Sequence, residues 1–244
     1  MEIQQKTTNT LKNIGGIFLA VFLALLIRSF LFEPYNIPSS SMVPTLLVGD
    51  YLFISKYPYG YSKHSFPYSV PLIPQDRILA DTPERGDVVI FKEPTHNKTD
   101  YIKRIIGLPG DTIEMKKGRL YINDTLVERT LKGYEDWPTE HGLMHYTRYE
   151  ETLPNGVKHD IYELSDSANY DNVGPFKVLP NHFFMMGDNR DNSLDSRYFG
   201  SVPFENLQGR AEFIFYSTNG TGYFFQFWKW PSMLRFKRFF TGIE

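Results

Sequence analysis

Residues 101–111 read Tyr-Ile-Lys-Arg-Ile-Ile-Gly-Leu-Pro-Gly-Asp. A short run of aromatic and β-branched side chains closed by a Pro-Gly corner is the pattern of a β-strand entering a turn. Similar runs lie on both sides of it, at 51–55, 88–91, 112–115, 120–122, 183–187 and 211–217, each bounded by Gly, Pro, Asp or Asn. Glu84-Arg85-Gly86-Asp87 reads as a turn feeding the strand that starts at Val88. Aromatic residues make up 16% of the chain, mostly Tyr and Phe inside such runs, as strands prefer. The chain is therefore expected to be mostly β beyond its N-terminus.

The N-terminus has another character. Residues 14–32, Ile-Gly-Gly-Ile-Phe-Leu-Ala-Val-Phe-Leu-Ala-Leu-Leu-Ile-Arg-Ser-Phe-Leu-Phe, are interrupted only by Arg28, close to the length a helix needs to cross about 30 Å of hydrocarbon. Bulky and charged residues follow Ile27 where a signal-peptide cleavage site would need small ones, so a retained anchor is expected. Arg28, one turn from the end, can extend to the interface. Lys6 and Lys12 place residues 1–13 on the cytoplasmic side as a leader, with the rest facing outward.

With 244 residues, 41% hydrophobic and 22% charged, the remainder can bury a core. A formal charge of −2 provides no basic field for nucleic acid, which is not expected as a partner. The absence of cysteine excludes thiol nucleophiles and Cys-based zinc sites. Residues 33–123 and 181–222 read as the β core, and the charged, tyrosine-rich stretch 124–180 as an inserted smaller subdomain. Residues 223–244 mix aromatic with basic side chains, which suits either a membrane interface or an element packed on the core.

In the strand at 101–107, alternation places Lys103 on the face of Tyr101 and Ile105, opposite Ile102 and Arg104. A lysine on an apolar face is costly unless it loses its proton, and in water only about one in 2,500 is neutral at pH 7. Lowering its pKa to roughly 8 costs on the order of 3 kcal/mol and leaves about a tenth neutral. Such an amine can take a proton from a serine, whereas the Arg104 guanidinium stays charged. Past the anchor comes Ile37-Pro-Ser-Ser-Ser-Met-Val-Pro-Thr-Leu46, then Gly49-Asp50; three serines by themselves read equally as a linker. No G-x-S-x-G elbow or H-E-x-x-H motif is present, and the six histidines are expected at the surface. Neither a metal nor a cofactor is expected.

Four segments taken together resemble the ordered motifs of type I signal peptidases. They are the serine run through Gly49-Asp50, Arg85-Gly-Asp-Val-Val-Ile-Phe91, Tyr101-Ile-Lys-Arg104 with Gly107-Leu-Pro-Gly-Asp111, and Gly187-Asp-Asn-Arg-Asp-Asn-Ser-Leu-Asp-Ser-Arg-Tyr198. The resemblance implies a signal-peptidase-like β-sheet catalytic core behind a transmembrane helix. It implies Ser41 as nucleophile, Lys103 as general base, and an oxyanion hole from the Ser41 N–H and the Ser39 hydroxyl. Ser193 would orient the lysine, while Asp195 with Arg197 and Asp188 with Arg104 would form supporting ion pairs. Ile37, Met42, Leu46, Tyr101 and Ile102 become candidate walls of a pocket that accepts small substrate residues. Ser40 stands where the family often has glycine.

The resemblance further implies a single-pass protein of the bacterial inner membrane, with lipids as partners and its catalytic domain on the periplasmic side. It would act on secreted preproteins that carry small residues before the cleavage site. A self-cleaving Ser/Lys protease and a silent membrane-anchored peptide-binding module are the competing readings. The anchor and the absence of a DNA-binding domain oppose the first, and the presence of both Ser41 and Lys103 opposes the second.

Overall fold

The computed structural model describes residues 2–66, 69–70, 73, 77–139, 142–220 and 226–243, without the side chains of 2–13, 138–139 and 227. Helix α1 (Glu2–Phe30) is followed, in chain order, by β1 (Phe32–Asn36), β2 (Asp50–Ser55), β3 (Val88–Lys92) and β4 (Asp100–Gly107). Next come β5 (Thr112–Lys116), β6 (Arg119–Ile122), β7 (Thr125–Leu126), β8 (Glu128–Thr139), β9 (Gly142–Thr152), β10 (Lys158–Glu163) and β11 (Val173–Lys177). The chain closes with β12 (His182–Met186), α2 (Ser196–Phe199), β13 (Val202–Pro203), β14 (Leu207–Ser217), α3 (Trp230–Met233) and β15 (Thr241–Gly242). All seven strand runs read from the sequence lie in strands, except that Gly187 falls just beyond β12.

The main sheet runs β1-β2-β14-β3-β4-β12-β13, with β15 added to β14. Strand β4 lies between β3 and β12, with Val89 opposite Lys103 and Val88 and Met186 both opposite Arg104. One face packs Ile37, Met42, Leu46, Leu52, Ile90 and Ile102 into a core cluster. A second cluster takes Val89, Phe91, Ile105, Met185 and Leu207. Both faces of β4 are thus covered, and Arg104 is as deeply buried as the lysine beside it.

The apolar run 14–32 is divided: the helix ends at Phe30 and Phe32 opens β1. Among the described residues no helix is long and apolar enough to cross a membrane. The described helix side chains run from Ile14 to Phe30 and are largely exposed, Phe18 at 71% and Ile17 at 64%. Arg28 pairs with Glu33 at 2.7 Å, and Glu33 also receives Lys56 at 2.8 Å. These contacts tie the helix end to the sheet.

Residues 112–122, assigned to the core from sequence, instead form a sheet with the stretch assigned to the insertion, in the order β11-β5-β6-β7. Two-residue hairpins build it. Lys117 and Gly118 have φ of 49° and 67°, and Asn123 and Asp124 have 52° and 62°, the left-handed pair that matches strand twist. A boundary at residue 124 therefore cuts a hairpin in two. This sheet packs Ile113, Met115, Leu120 and Ile122 against Ile106, Phe184 and Met186 of the main sheet. A separate sheet β10-β9-β8 sets Tyr146 and Tyr162 against Val43.

Two histidines are not at the surface. His64 and His159 are each only 5% exposed: His64 sits in the 63–65 turn packed on β14, and His159 in β10 points at Glu151 and Asp188 between two sheets. In the C-terminal segment, Tyr223, Phe224 and Phe225 lie outside the described residues. Beyond them Arg238 pairs with Asp50 at 2.6 Å and Arg235 donates to the Val48 carbonyl at 2.6 Å, so these cations face the core. Trp228, Phe236 and Phe240 stay exposed.

Candidate active site

Ser41 lies in the loop between β1 and β2, and Lys103 in the middle of β4. Lys103 Nζ is 2.6 Å from Ser41 Oγ and 2.9 Å from the Ile102 carbonyl. Both residues are buried, at 8% and 4% exposure. Burial pulls the Lys103 pKa down to about 8, against the opposing attraction of Asp195 and Asp188; Arg197 adds to the lowering. A hydroxyl and an amine at this distance can pass a proton in either direction.

Several groups hold the serine loop. The Asn189 N–H donates to the Ser41 carbonyl at 3.1 Å, and Asn189 Nδ2 donates to the Ser40 carbonyl at 3.1 Å. Asn192 Nδ2 donates to Ser40 Oγ at 2.9 Å, which ties down the residue that departs from the family pattern. Met42, fully buried, anchors the loop in the core. Further along, Thr45 donates to Asp188 at 2.5 Å, and Arg238 donates to the Thr45 carbonyl at 2.8 Å. A Cβ on Gly187 would overlap Ser193 Oγ and the Ser41 carbonyl, so only glycine lets β12 approach the loop this closely.

Ser39 Oγ is 3.5 Å from Ser41 Oγ. Ser193 Oγ is buried and makes no hydrogen bond, although it sits close enough to Asp195 to help hold that carboxylate down. The lysine's hydrogen bonds go to Ser41 and the Ile102 carbonyl rather than to Ser193. Arg104 grips Asp188 through two nitrogens, at 2.9 and 2.8 Å, and donates to the Gly86 carbonyl at 2.8 Å. Burial alone would raise the Asp188 carboxyl, but Arg104 outweighs it and holds the group below its usual range. Asp195 caps α2 by accepting the Arg197 N–H, and it holds the Arg197 guanidinium by two bonds of 2.9 Å. Asp195 also accepts the Gly187 N–H at 3.0 Å.

An open cavity of about 670 Å³ borders the pair. Ile37, Tyr101 and Ile102 line it, together with Ser39, Ser40, Ser41, Lys103 and Ser193. Met42 and Leu46, expected as pocket walls, are wholly inside the core cluster and do not line the cavity. Their places in the motif made them candidates, but the loop turns their side chains into the core. Tyr35, Ile90, Tyr170, Asn192 and Leu194 also line the cavity, beyond the residues expected from the motifs. Asn192 and Leu194 lie inside a motif already quoted, whereas Tyr170 comes from the insertion, which carried no signal.

Residues 10–216 match the family described as signal peptidase, peptidase S26. The chain is 43% identical over 226 residues to signal peptidase I of Rickettsia typhi, covering 88% of this chain and 84% of that protein. It is 42% identical over 228 residues to signal peptidase I of Rickettsia conorii, covering 89% and 84%. A crystal structure of a signal peptidase I from Enterococcus faecalis V583 is 27% identical and covers 53% of this chain and 97% of that one, with a TM-score of 0.32.

Proposed function

This chain belongs to the signal peptidase S26 family, whose reaction is the removal of signal peptides, and we propose that Ser41 and Lys103 carry out that cleavage here. The observation that carries the assignment is the 2.6 Å contact between the lysine amine and the serine hydroxyl at the wall of an open cavity. In the first step Ser41 Oγ attacks the scissile carbonyl carbon as its proton passes to neutral Lys103 Nζ. Charge develops on the carbonyl oxygen, toward which the Ser41 N–H and the Ser39 hydroxyl are the proposed donors. The C–N bond then breaks, the lysine ammonium gives its proton to the leaving amine, and the signal peptide stays as an ester on Ser41. Water then attacks the ester carbonyl as its proton passes to the same amine. The C–O bond to Ser41 breaks, and the ammonium returns that proton to Ser41 Oγ as the signal peptide leaves with a free carboxyl group.

The substrate is read as an extended segment with small residues at the first and third positions before the cut, bound as an added strand. Ile37, Tyr101 and Ile102 are the proposed apolar walls that reject larger side chains. The ion pairs Arg104–Asp188 and Asp195–Arg197 are proposed to fix β4 and the Gly187 turn around the serine loop. Helix α1 is read as a single membrane anchor in the inner membrane, which sets the catalytic domain on the periplasmic face. Its exposed apolar side chains support that reading, as do Trp228, Phe236 and Phe240 for contact with lipid.

The test is cleavage of a preprotein by detergent-solubilised wild type, Ser41→Ala and Lys103→Ala. Each variant should lose activity by at least roughly 10³-fold, the scale of a lost nucleophile or base. Wild-type cleavage by either variant would overturn the assignment.

A further inference from the structure

At the cavity wall, where Asp191 is itself a lining residue, three carboxylates converge from three parts of the chain. They are Glu163 at the end of β10, Asp171 before β11, and Asp191 two residues before Ser193. One oxygen from each lies within 4.8 Å of the others. Oxygens bound to a single calcium-sized ion at about 2.4 Å can be no more than about 4.8 Å apart, so this spacing fits one shared ion.

A second observation separates this cluster from an ordinary acidic patch. Glu163 is 2% exposed, and its Oε2 is buried without any hydrogen-bond donor. Asp171 is likewise covered, at a shallower depth, and its Oδ1 has no donor either. A buried carboxylate oxygen with no partner is costly. The neighbouring cations turn most of their donors to other carboxylates, and although Arg190 Nε and Arg197 Nη1 keep no partner, neither is hydrogen-bonded to the two orphaned oxygens. Arg129 holds Asp166 at 2.7 Å and reaches Glu163 Oε1 only at 3.5 Å. Arg190 is bound through both terminal nitrogens to Glu151, and Arg197 to Asp195.

The backbone also fixes the cluster's outer oxygens. Asp191 Oδ2 accepts the Leu164 and Ser165 N–H groups at 2.7 and 3.0 Å, and Asp171 Oδ2 accepts the Ala168 N–H at 2.6 Å. The carboxylates are thereby held close together even though they repel one another.

We propose that Glu163, Asp171 and Asp191 bind one hard divalent cation of the calcium class. An all-oxygen donor set selects such an ion over softer metals. Bound there, it would join the end of β10 to the turn bearing Tyr170 and to the Arg190–Asn192 turn, two pieces of the cavity wall. The proposal does not depend on which residues cut the peptide.

The test uses the full-length protein in detergent, stripped of metal with a chelating resin. Terbium is titrated in with tyrosine excitation, since Tyr162 and Tyr170 adjoin two of the ligands. One saturable luminescent site is expected, displaced by calcium chloride, with a Tm that rises with calcium concentration as mass action requires. Glu163→Gln should lose the terbium signal and the Tm response. If that variant does not fold, Asp191→Asn, at the half-exposed edge, is read the same way. Terbium binding that survives both substitutions would overturn the proposal. So would a wild-type Tm unmoved by calcium, magnesium or manganese, which would mean that the three carboxylates share a proton instead.

Discussion

Lys103 is buried with no acid bonded to its amine, and the consequences can be measured in both stability and rate. Burial brings its pKa to about 8, against about 10.4 in an unfolded chain. Between those two values the unfolded chain binds more protons, so stability should rise with pH from about 8 to about 10.4. Below about 8 the penalty is complete, on the order of 3 kcal/mol. Lys103→Met should therefore melt later in urea at pH 7 while losing cleavage; a variant less stable than wild type would show that the amine is not strained by burial. The proposed chemistry also gives kcat/KM an ascending limb with an apparent pKa near 8, because the neutral amine is the active form. A limb below about 7 would point to another group. At this scale the sequence carried a good deal: strand alternation separated Lys103 from Arg104, and the motifs singled out Ser41 among three serines. It gave no means to tell that Met42 and Leu46 turn inward, since that depends on a loop path fixed by Asn189, Asp188 and Arg238 from elsewhere in the chain.

The turn after β12 is where separate elements are locked together. Asp188 takes Arg104 from β4 and Thr45 from the serine loop, and its carbonyl accepts the Tyr162 N–H of β10 at 2.9 Å. His159 of β10 lies 3.4 Å from Glu151 and 3.8 Å from Asp188, completing a buried charged layer between the sheets. Removing one partner of such a pair leaves the other buried and alone, so Asp188→Asn should cost about 3–5 kcal/mol in denaturant melts. Replacing both members, Arg104→Met with Asp188→Leu, should cost less than that, as is common when a buried pair becomes apolar. A double variant worse than the single one would mean that the pair is held in place for more than its own charge. The sequence located these elements well, because period-2 runs bounded by turn residues identify strands. It mislaid one border: Asn123-Asp124 is a tight hairpin, and its chemistry is visible only once both residues are known to hold positive φ.

The whole molecule is a β body with one apolar helix projecting from it. Phe30 packs edge-on against Tyr61 and Phe66, at 5.4 and 5.7 Å, so the helix end belongs to the body. Deleting residues 1–27 should leave a folded protein that cuts a soluble peptide with unchanged kcat/KM. Its cleavage of a preprotein embedded in liposomes should fall by about 10–100-fold, because a shared membrane raises the effective concentration of the pair. An equal loss on both substrates would mean that the helix supports the site rather than the encounter. The sequence by itself determined the strand runs, the apolar helix, and the serine and lysine that belong together, since these follow from local periodicity and from short motifs. Only the tertiary structure decided what surrounds them. It buried Arg104 and His159 under a second layer, brought Tyr170 and Asp191 into the cavity wall, and gathered Glu163 and Asp171 beside Asp191. Those neighbours are set by packing between residues far apart in the chain, for which local pattern carries no signal.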